Sequence, residues 1–114
     1  MKVTLAWPPK DLSPNARLHW SKVAKAKKAY RQYCWASAME AGMHQMGLRT
    51  VGDIHLKMTF VPPDKRGRDI DNMFASMKAG LDGIADCLQA NDKRFVFTLT
   101  KADQIGGYVT VEIV

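Results

Sequence analysis

Two short runs of alternating apolar residues each stop at a pair of prolines, which fixes where a sheet in this chain can begin and end. Val3, Leu5 and Trp7 alternate with Lys2, Thr4 and Ala6 before Pro8-Pro9. Ile54, Leu56, Met58 and Phe60 alternate with His55, Lys57 and Thr59 before Pro62-Pro63. A period of two marks a strand with one buried face, and proline, which has no N–H to give to a ladder, ends the pairing. Phe95, Phe97 and Leu99 predict a third strand and Val109, Val111 and Ile113 a fourth, with Gly106-Gly107 expected as the hairpin turn between them. His55 falls on the solvent side of its strand.

Helical spacing fills the gaps. After an irregular arm over 8–20, Ser21 is the expected N-cap of a long amphipathic helix. Its stripe is Val23, Ala26, Tyr30, Tyr33, Cys34, Ser37 and Ala41, and it runs to about Gly42 or Met46. The loop from Pro62 to Arg68 leads to a second helix whose buried stripe is Met73, Phe74, Met77, Leu81, Ile84 and Leu88, the methionines serving as core packing. The order β-α-β-α-β-β predicts an α+β fold, a small mixed sheet with two helices packed on it. At 114 residues and 46% hydrophobic content the chain is expected to be one domain over 1–114, large enough for a core and small enough that dimerisation would help it.

Composition excludes several classes. Cys34 and Cys87 are not at C-x-x-C spacing, and two free thiols suit a reducing, cytoplasmic compartment better than a disulfide scaffold. Met1 to Trp7 meets Pro8-Pro9 too soon for a signal peptide, and no run reaches transmembrane length, so no membrane association is expected. There is no repeat or low-complexity tract. The net charge is +6, and it is uneven: residues 1–50 hold nine Lys/Arg against Asp11 and Glu40, net +7, leaving −1 for residues 51–114.

Within the second half, Arg66-Gly67-Arg68-Asp69-Ile70-Asp71-Asn72 sets two carboxylates one residue apart among basic residues. Asp69 and Asp71 share a face only if the backbone there is extended. Two like charges held that close are costly unless a cation lies between them, and oxygen donors without His or Cys suit Mg2+ or Mn2+. Taken alone, such a pair is equally a solvated loop or a helix cap. Asp71, Ala75, Lys78 and Asp82 form one helical stripe, with Lys78 about 10 Å beyond Asp71 by helix rise and its side chain leaning back. An ammonium there could stabilise charge on a phosphate oxygen; alone, Lys78 is an exposed helix lysine. Asp82, about 16 Å along the axis, would position Lys78 from one turn away or simply be solvated. A basic half beside an acidic cluster is the arrangement of a nuclease, in which cations hold the polyanion and carboxylates the metal. The other reading of Lys22, Lys25, Lys28 and Arg31 is a solvated helix face.

These residues resemble the RusA family of Holliday-junction resolvases, bacterial and phage endodeoxyribonucleases, over most of the chain. The resemblance rests on Arg68-Asp69-Ile70-Asp71-Asn72, on Lys78-Ala79-Gly80-Leu81-Asp82-Gly83-Ile84, and on Asn91-Asp92 ahead of a strand. An N-terminal block adds to it: Trp7-Pro8-Pro9, Ser13-Pro14-Asn15-Ala16-Arg17 and His19-Trp20. It implies that Asp69, Asp71 and Asp92 bind Mg2+, for which Mn2+ may substitute, and that Lys78 is an essential lysine, with Asn72 and Asp82 in support. It also implies a homodimer that binds four-way junction DNA and nicks two opposed strands in recombination and repair. Two departures stand out: Lys78 lies one turn further from Asp71 than in the best-known member, and Asn91 replaces the first Asp of an acidic pair.

The function expected is Mg2+-dependent, structure-selective DNA cleavage leaving 5′-phosphate ends, with Asn15, Arg17, Lys22, Lys25, Lys28 and Arg31 contacting DNA phosphates. No organic cofactor is expected, and no residue pairs as covalent nucleophile and base. The alternatives are a non-catalytic junction or duplex binder, and a metal-dependent nuclease acting on RNA or flaps. An active site shared between subunits is also open, since a continuous helix over 72–88 would hold Asp71 and Asp92 about 25 Å apart; within one chain the distance closes only if the helix ends early and residues 86–92 fold back through Cys87-Leu88-Gln89-Ala90-Asn91.

Overall fold

A computed structural model describes residues 1–114. Strands β1 (Lys2–Ala6), β2 (Ile54–Val61), β3 (Phe95–Lys101) and β4 (Tyr108–Ile113) form one sheet in the order β1-β4-β2-β3. The β1–β4 and β4–β2 pairs are antiparallel and β2–β3 is parallel, so the sheet is mixed as expected. The register carries a row of apolar side chains, Val3, Val111, Met58 and Leu99, across all four strands. Together with Leu5, Leu56, Phe60 and Val109, all fully buried, this face makes the floor of the core. Each such side chain stabilises the fold by about 1.5–3 kcal/mol relative to exposure.

One expectation fails here. β3 and β4 do not form a hairpin, because β2 lies between them and pairs with both. The 102–107 connection instead crosses the end of β2, where the Gly106 and Gly107 N–H groups donate to the carbonyls of Pro62 and Val61, each at 2.8 Å. Gly107, at φ 88°, occupies the left-handed region that a side chain would disfavour.

Helix α1 spans Trp20–Glu40 and is capped by His19, whose Nδ1 accepts from the Ser21 N–H at 3.2 Å. The cap is therefore two residues earlier than Ser21, since an imidazole nitrogen can fill the acceptor role of a hydroxyl. Gly42 at φ 81° follows the helix end. The second predicted helix is two: α2 (Ile70–Ala75) and α3 (Lys78–Leu88), broken at Ser76-Met77. Ser76 Oγ donates back to the Asn72 carbonyl at 3.0 Å, the kind of local bond that bends helices.

Helix α3 lies against α1 at its two glycines. A Cβ on Gly80 would sit 2.8 Å from Tyr30 and 2.9 Å from Cys34, and one on Gly83 would collide with the Arg31 carbonyl. Only glycine at 83 lets the backbones approach so closely, and this crossing fixes the direction of α3 and hence of Lys78 at its start. Tyr30 donates to the Ala6 carbonyl at 2.7 Å, and Tyr33 accepts from the Ala6 N–H at 3.0 Å. Two side chains one turn apart on α1 thus occupy the backbone groups at the end of edge strand β1. Cys34 and Cys87 are buried free thiols, and burial pushes Cys34 up to about 12. His55 is exposed and pairs through Nε2 with Thr98 Oγ1 at 2.8 Å. No helix is long and apolar enough to cross a membrane.

Candidate active site

The break between α2 and α3 brings together residues that are far apart in sequence. Lys78, the first residue of α3, places its ammonium 2.9 Å from Asp82 Oδ1, one turn along the helix, and 2.6 Å from Asp92 Oδ2. Asp92 returns because α3 stops at Leu88, where Gln89 takes the left-handed conformation at φ 52°. Asn91 then caps a short 3-10 turn over Asp92–Arg94 by accepting from the Lys93 N–H at 2.9 Å. Asn91 therefore has a structural role: its side chain fixes the turn that carries Asp92. The Asp92 and Asp82 carboxylates hold the Lys78 ammonium above its ordinary value, and Lys78 in turn holds Asp92 below the usual carboxylate range.

Asp69 and Asp71 are arranged differently. Asp69 is extended, at φ −76° and ψ 135°, and stands at the cap position of α2 without a side-chain cap bond. Asp71 is already helical. The fully extended stretch that would put both on one face is thus cut short by the helix start. Asp69 lines a cleft of about 560 Å3 with Asn72 and Ser76, at helical spacing from it, while Ala75 and Lys78 line a neighbouring cleft of about 660 Å3 against the N-terminal arm and α1. The chain's ion pairs are Arg31–Asp86, Arg66–Asp64, Arg68–Asp64, Lys78–Asp82 and Lys78–Asp92; none includes Asp69 or Asp71.

Within one chain, then, Asp92 and Asp82 each meet the Lys78 ammonium, and no three His, Cys, Asp or Glu side chains come together as a metal-binding group. The expected set of Asp69, Asp71 and Asp92 is not assembled within the chain. Asp69 and Asp71 remain exposed oxygen donors free of internal partners. That chemistry fits Mg2+, which is commonly held by one or two carboxylates with the remaining positions left to water and substrate phosphate.

Of the expected DNA contacts, Asn15, Arg17, Lys22, Lys25 and Lys28 are exposed on the arm and the first turns of α1. Arg31 is not free: its guanidinium grips Asp86 of α3 through two bonds of 2.7 and 2.8 Å. That bond holds Arg31 up and Asp86 down from their ordinary values. Sequence reasoning missed Asp64, which accepts from Arg68 Nη1 at 2.8 Å and the Arg66 N–H at 3.0 Å and is held well below the usual carboxylate range, first by Arg68. The acid two residues before Arg66 and four before Arg68 was the available signal.

No family model matches the chain. It is 42% identical over 113 residues to an uncharacterized protein of Xylella fastidiosa (strain Temecula1), covering 97% of this chain and 74% of that protein. The chain belongs to the same family as that protein.

Proposed function

We propose that this protein is a Mg2+-dependent, structure-selective DNA endonuclease that resolves four-way junctions by paired nicks. The observation that carries the reading is the Lys78 ammonium held between Asp92 and Asp82 at the start of α3, immediately after the helix that Asp69 and Asp71 open. The resemblance of these segments to the RusA family supports it, as does the net +7 over residues 1–50.

Mg2+, when bound, would supply Lewis acidity and an activated water for attack at phosphorus. Asp69 and Asp71 would hold it, with Asp92 as third carboxylate. Lys78 has three N–H donors; two are occupied by Asp82 and Asp92, and the third is left for a phosphate oxygen on which charge builds. Its raised pKa keeps it protonated throughout the neutral range. Lys22, Lys25 and Lys28 would hold the backbone of the DNA arms.

A non-catalytic junction binder is the second reading, and one observation favours it: Asp92 is engaged by Lys78 rather than grouped with Asp69 and Asp71. Incubation with a synthetic four-way junction and Mg2+, beside duplex, single-stranded, flap and RNA controls, separates them. The expected result is symmetric nicking of the junction with 5′-phosphate ends. Tight binding without nicking would establish the binder, and preferential cutting of RNA or flaps would redirect the activity.

A homodimer belongs to the same proposal, since a two-fold axis could bring Asp92 of one subunit to Asp69 and Asp71 of the other. A heterodimer of one Asp69→Asn chain and one Asp92→Asn chain tests this. Sites built across the interface leave one complete centre that nicks; sites built within a chain leave none.

A further inference from the structure

The cleft between the N-terminal arm and the loop before α2 has Asp69 in its wall and is otherwise shaped by a loop that the chemistry above does not use. Asp64 closes residues 64–68 into a loop by accepting from Arg68 Nη1 and the Arg66 N–H. Arg68 Nη1 also reaches the Asp64 and Arg66 carbonyls at 3.4 and 3.3 Å, and its guanidinium carbon lies 5.6 Å from the centre of the Trp7 ring. Trp7 in turn meets Phe60 of β2 edge-on at 6.2 Å. Arg68 is therefore committed to the scaffold, with its charge answered by Asp64 and its side chain 16% exposed.

Arg66 is not so committed. Its side chain is 80% exposed and its contact with Asp64 is a marginal 3.4 Å. Lys10, on the arm, is exposed and joins none of the ion pairs. Both line the cleft, along with the exposed amides of Asn15 and Asn72, and Asp69 stands in its wall. A volume of about 560 Å3 lies within the roughly 300–1,000 Å3 of small-ligand sites.

Two available cations beside neutral amides call for a ligand with one anionic group and several neutral hydrogen-bonding groups. An apolar ligand would leave all of these unpaired, and a bare phosphate would leave the amides unused. We infer that this cleft binds one nucleotide of the substrate strand, its phosphate held by Lys10 and Arg66 and its sugar and base edge by Asn15 and Asn72. The inference rests on the endonuclease reading and deepens it, because a nucleotide seated there directs its neighbouring phosphate toward Asp69.

The test uses full-length protein kept metal-free with EDTA and followed by two-dimensional NMR, with thymidine 5′-monophosphate, thymidine and inorganic phosphate as separate probes. The monophosphate is expected to shift the signals of Lys10, Asn15, Arg66, Asn72 and the Trp7 indole, and to bind more tightly than either fragment. A Lys10→Ala/Arg66→Ala variant, altered only at exposed side chains, should lose about tenfold or more in affinity. Shifts confined to the α1 lysines, equal binding of phosphate and nucleotide, or unchanged affinity in the double variant would each overturn the site. The two readings fail separately. Nucleotide bound in the cleft of a protein that nicks no junction removes the endonuclease and keeps the cleft; junction nicking by the double variant at wild-type KM removes the cleft and keeps the endonuclease.

Discussion

Asp82 and Asp92 lie on one side of the Ser76-Met77 break, and Asp69 and Asp71 on the other. The first two share the Lys78 ammonium at 2.9 and 2.6 Å; the second two join no ion pair. Clustered carboxylates need a cation, and in the first group the chain supplies its own. Asp69 and Asp71, exposed and not brought onto one face by an extended stretch, have no such cation within the chain. The difference shows how one short segment can carry both a self-contained, preorganised charge network and a couple of unpaired oxygen donors: under the proposed reading Lys78 is the fixed cation, and Asp69 and Asp71 are the donors left open to a metal ion.

The sharpest way to break this comparison is to neutralise the unpaired carboxylates. Asp69→Asn or Asp71→Asn should lower junction nicking by on the order of a thousandfold or more, since even one preorganised group at a reacting centre is worth on the order of 10²–10³. Junction binding should survive, because the surface becomes less negative toward DNA. Gel-shift and nicking assays on the same protein check both halves. Full activity of Asp71→Asn at saturating Mg2+ would move the metal elsewhere.

Removing the built-in cation should cost less. Lys78→Ala is expected to slow nicking about a hundredfold at unchanged Mg2+ dependence, the lower part of that same range. It leaves Asp82 and Asp92 without their shared partner, so the variant would become the second group's equal. A steeper Mg2+ requirement, read from a metal titration of the nicking rate, would show that the ammonium stands where a metal ion can.

How far the sequence showed this contrast differs between the groups. The one-turn relation of Lys78 and Asp82 follows from helical periodicity alone. The return of Asp92 was one of two open readings and could not be fixed, because it depends on Gln89, a residue without glycine's freedom, adopting the left-handed conformation. The break at Ser76-Met77 was equally hidden: no proline or glycine marks it, and the apolar stripe of Met73, Met77, Leu81 and Ile84 reads straight through. Alternation located all four strands, but it specifies which residues face the core, not which strand is the neighbour. The insertion of β2 between β3 and β4 was therefore out of reach, and a Gly-Gly pair read as a hairpin turn.

The basic face offers a smaller test, since under the proposed reading it would serve both groups only by holding DNA. Lys25→Ala/Lys28→Ala should weaken binding to every junction sequence alike and lower the salt slope by about one for each phosphate no longer neutralised, about two in all. Arg31→Ala should leave that slope unchanged, because Asp86 already answers its charge. An equal fall for Arg31→Ala would mean that the Arg31–Asp86 pair opens on DNA.

The smallest effect is expected from Asp82→Asn, and its pH dependence is the finest measure of the self-contained group. Lys78 keeps Asp92, the larger cause of its raised pKa, so nicking at neutral pH should fall only a few-fold, within the range of a supporting hydrogen bond. A lysine raised on folding contributes stability that is fully present below its unfolded value, about 10.4, and is lost as pH rises through the folded one. Asp92, depressed on folding, contributes stability present above its unfolded value, about 3.9, and lost as pH falls through the folded one. Thermal unfolding followed against pH should therefore show the wild type and Asp82→Asn differing throughout the range below the ordinary lysine value of about 10.4 and converging only as pH rises through the raised value of folded Lys78. On the acid side both proteins should decline together below about pH 4, because the Lys78–Asp92 bond is common to them. A decline of Asp82→Asn at markedly higher pH than the wild type would mean that Asp92 needs Asp82 to keep Lys78 in place, making the three residues one unit instead of two independent bonds to a shared ammonium.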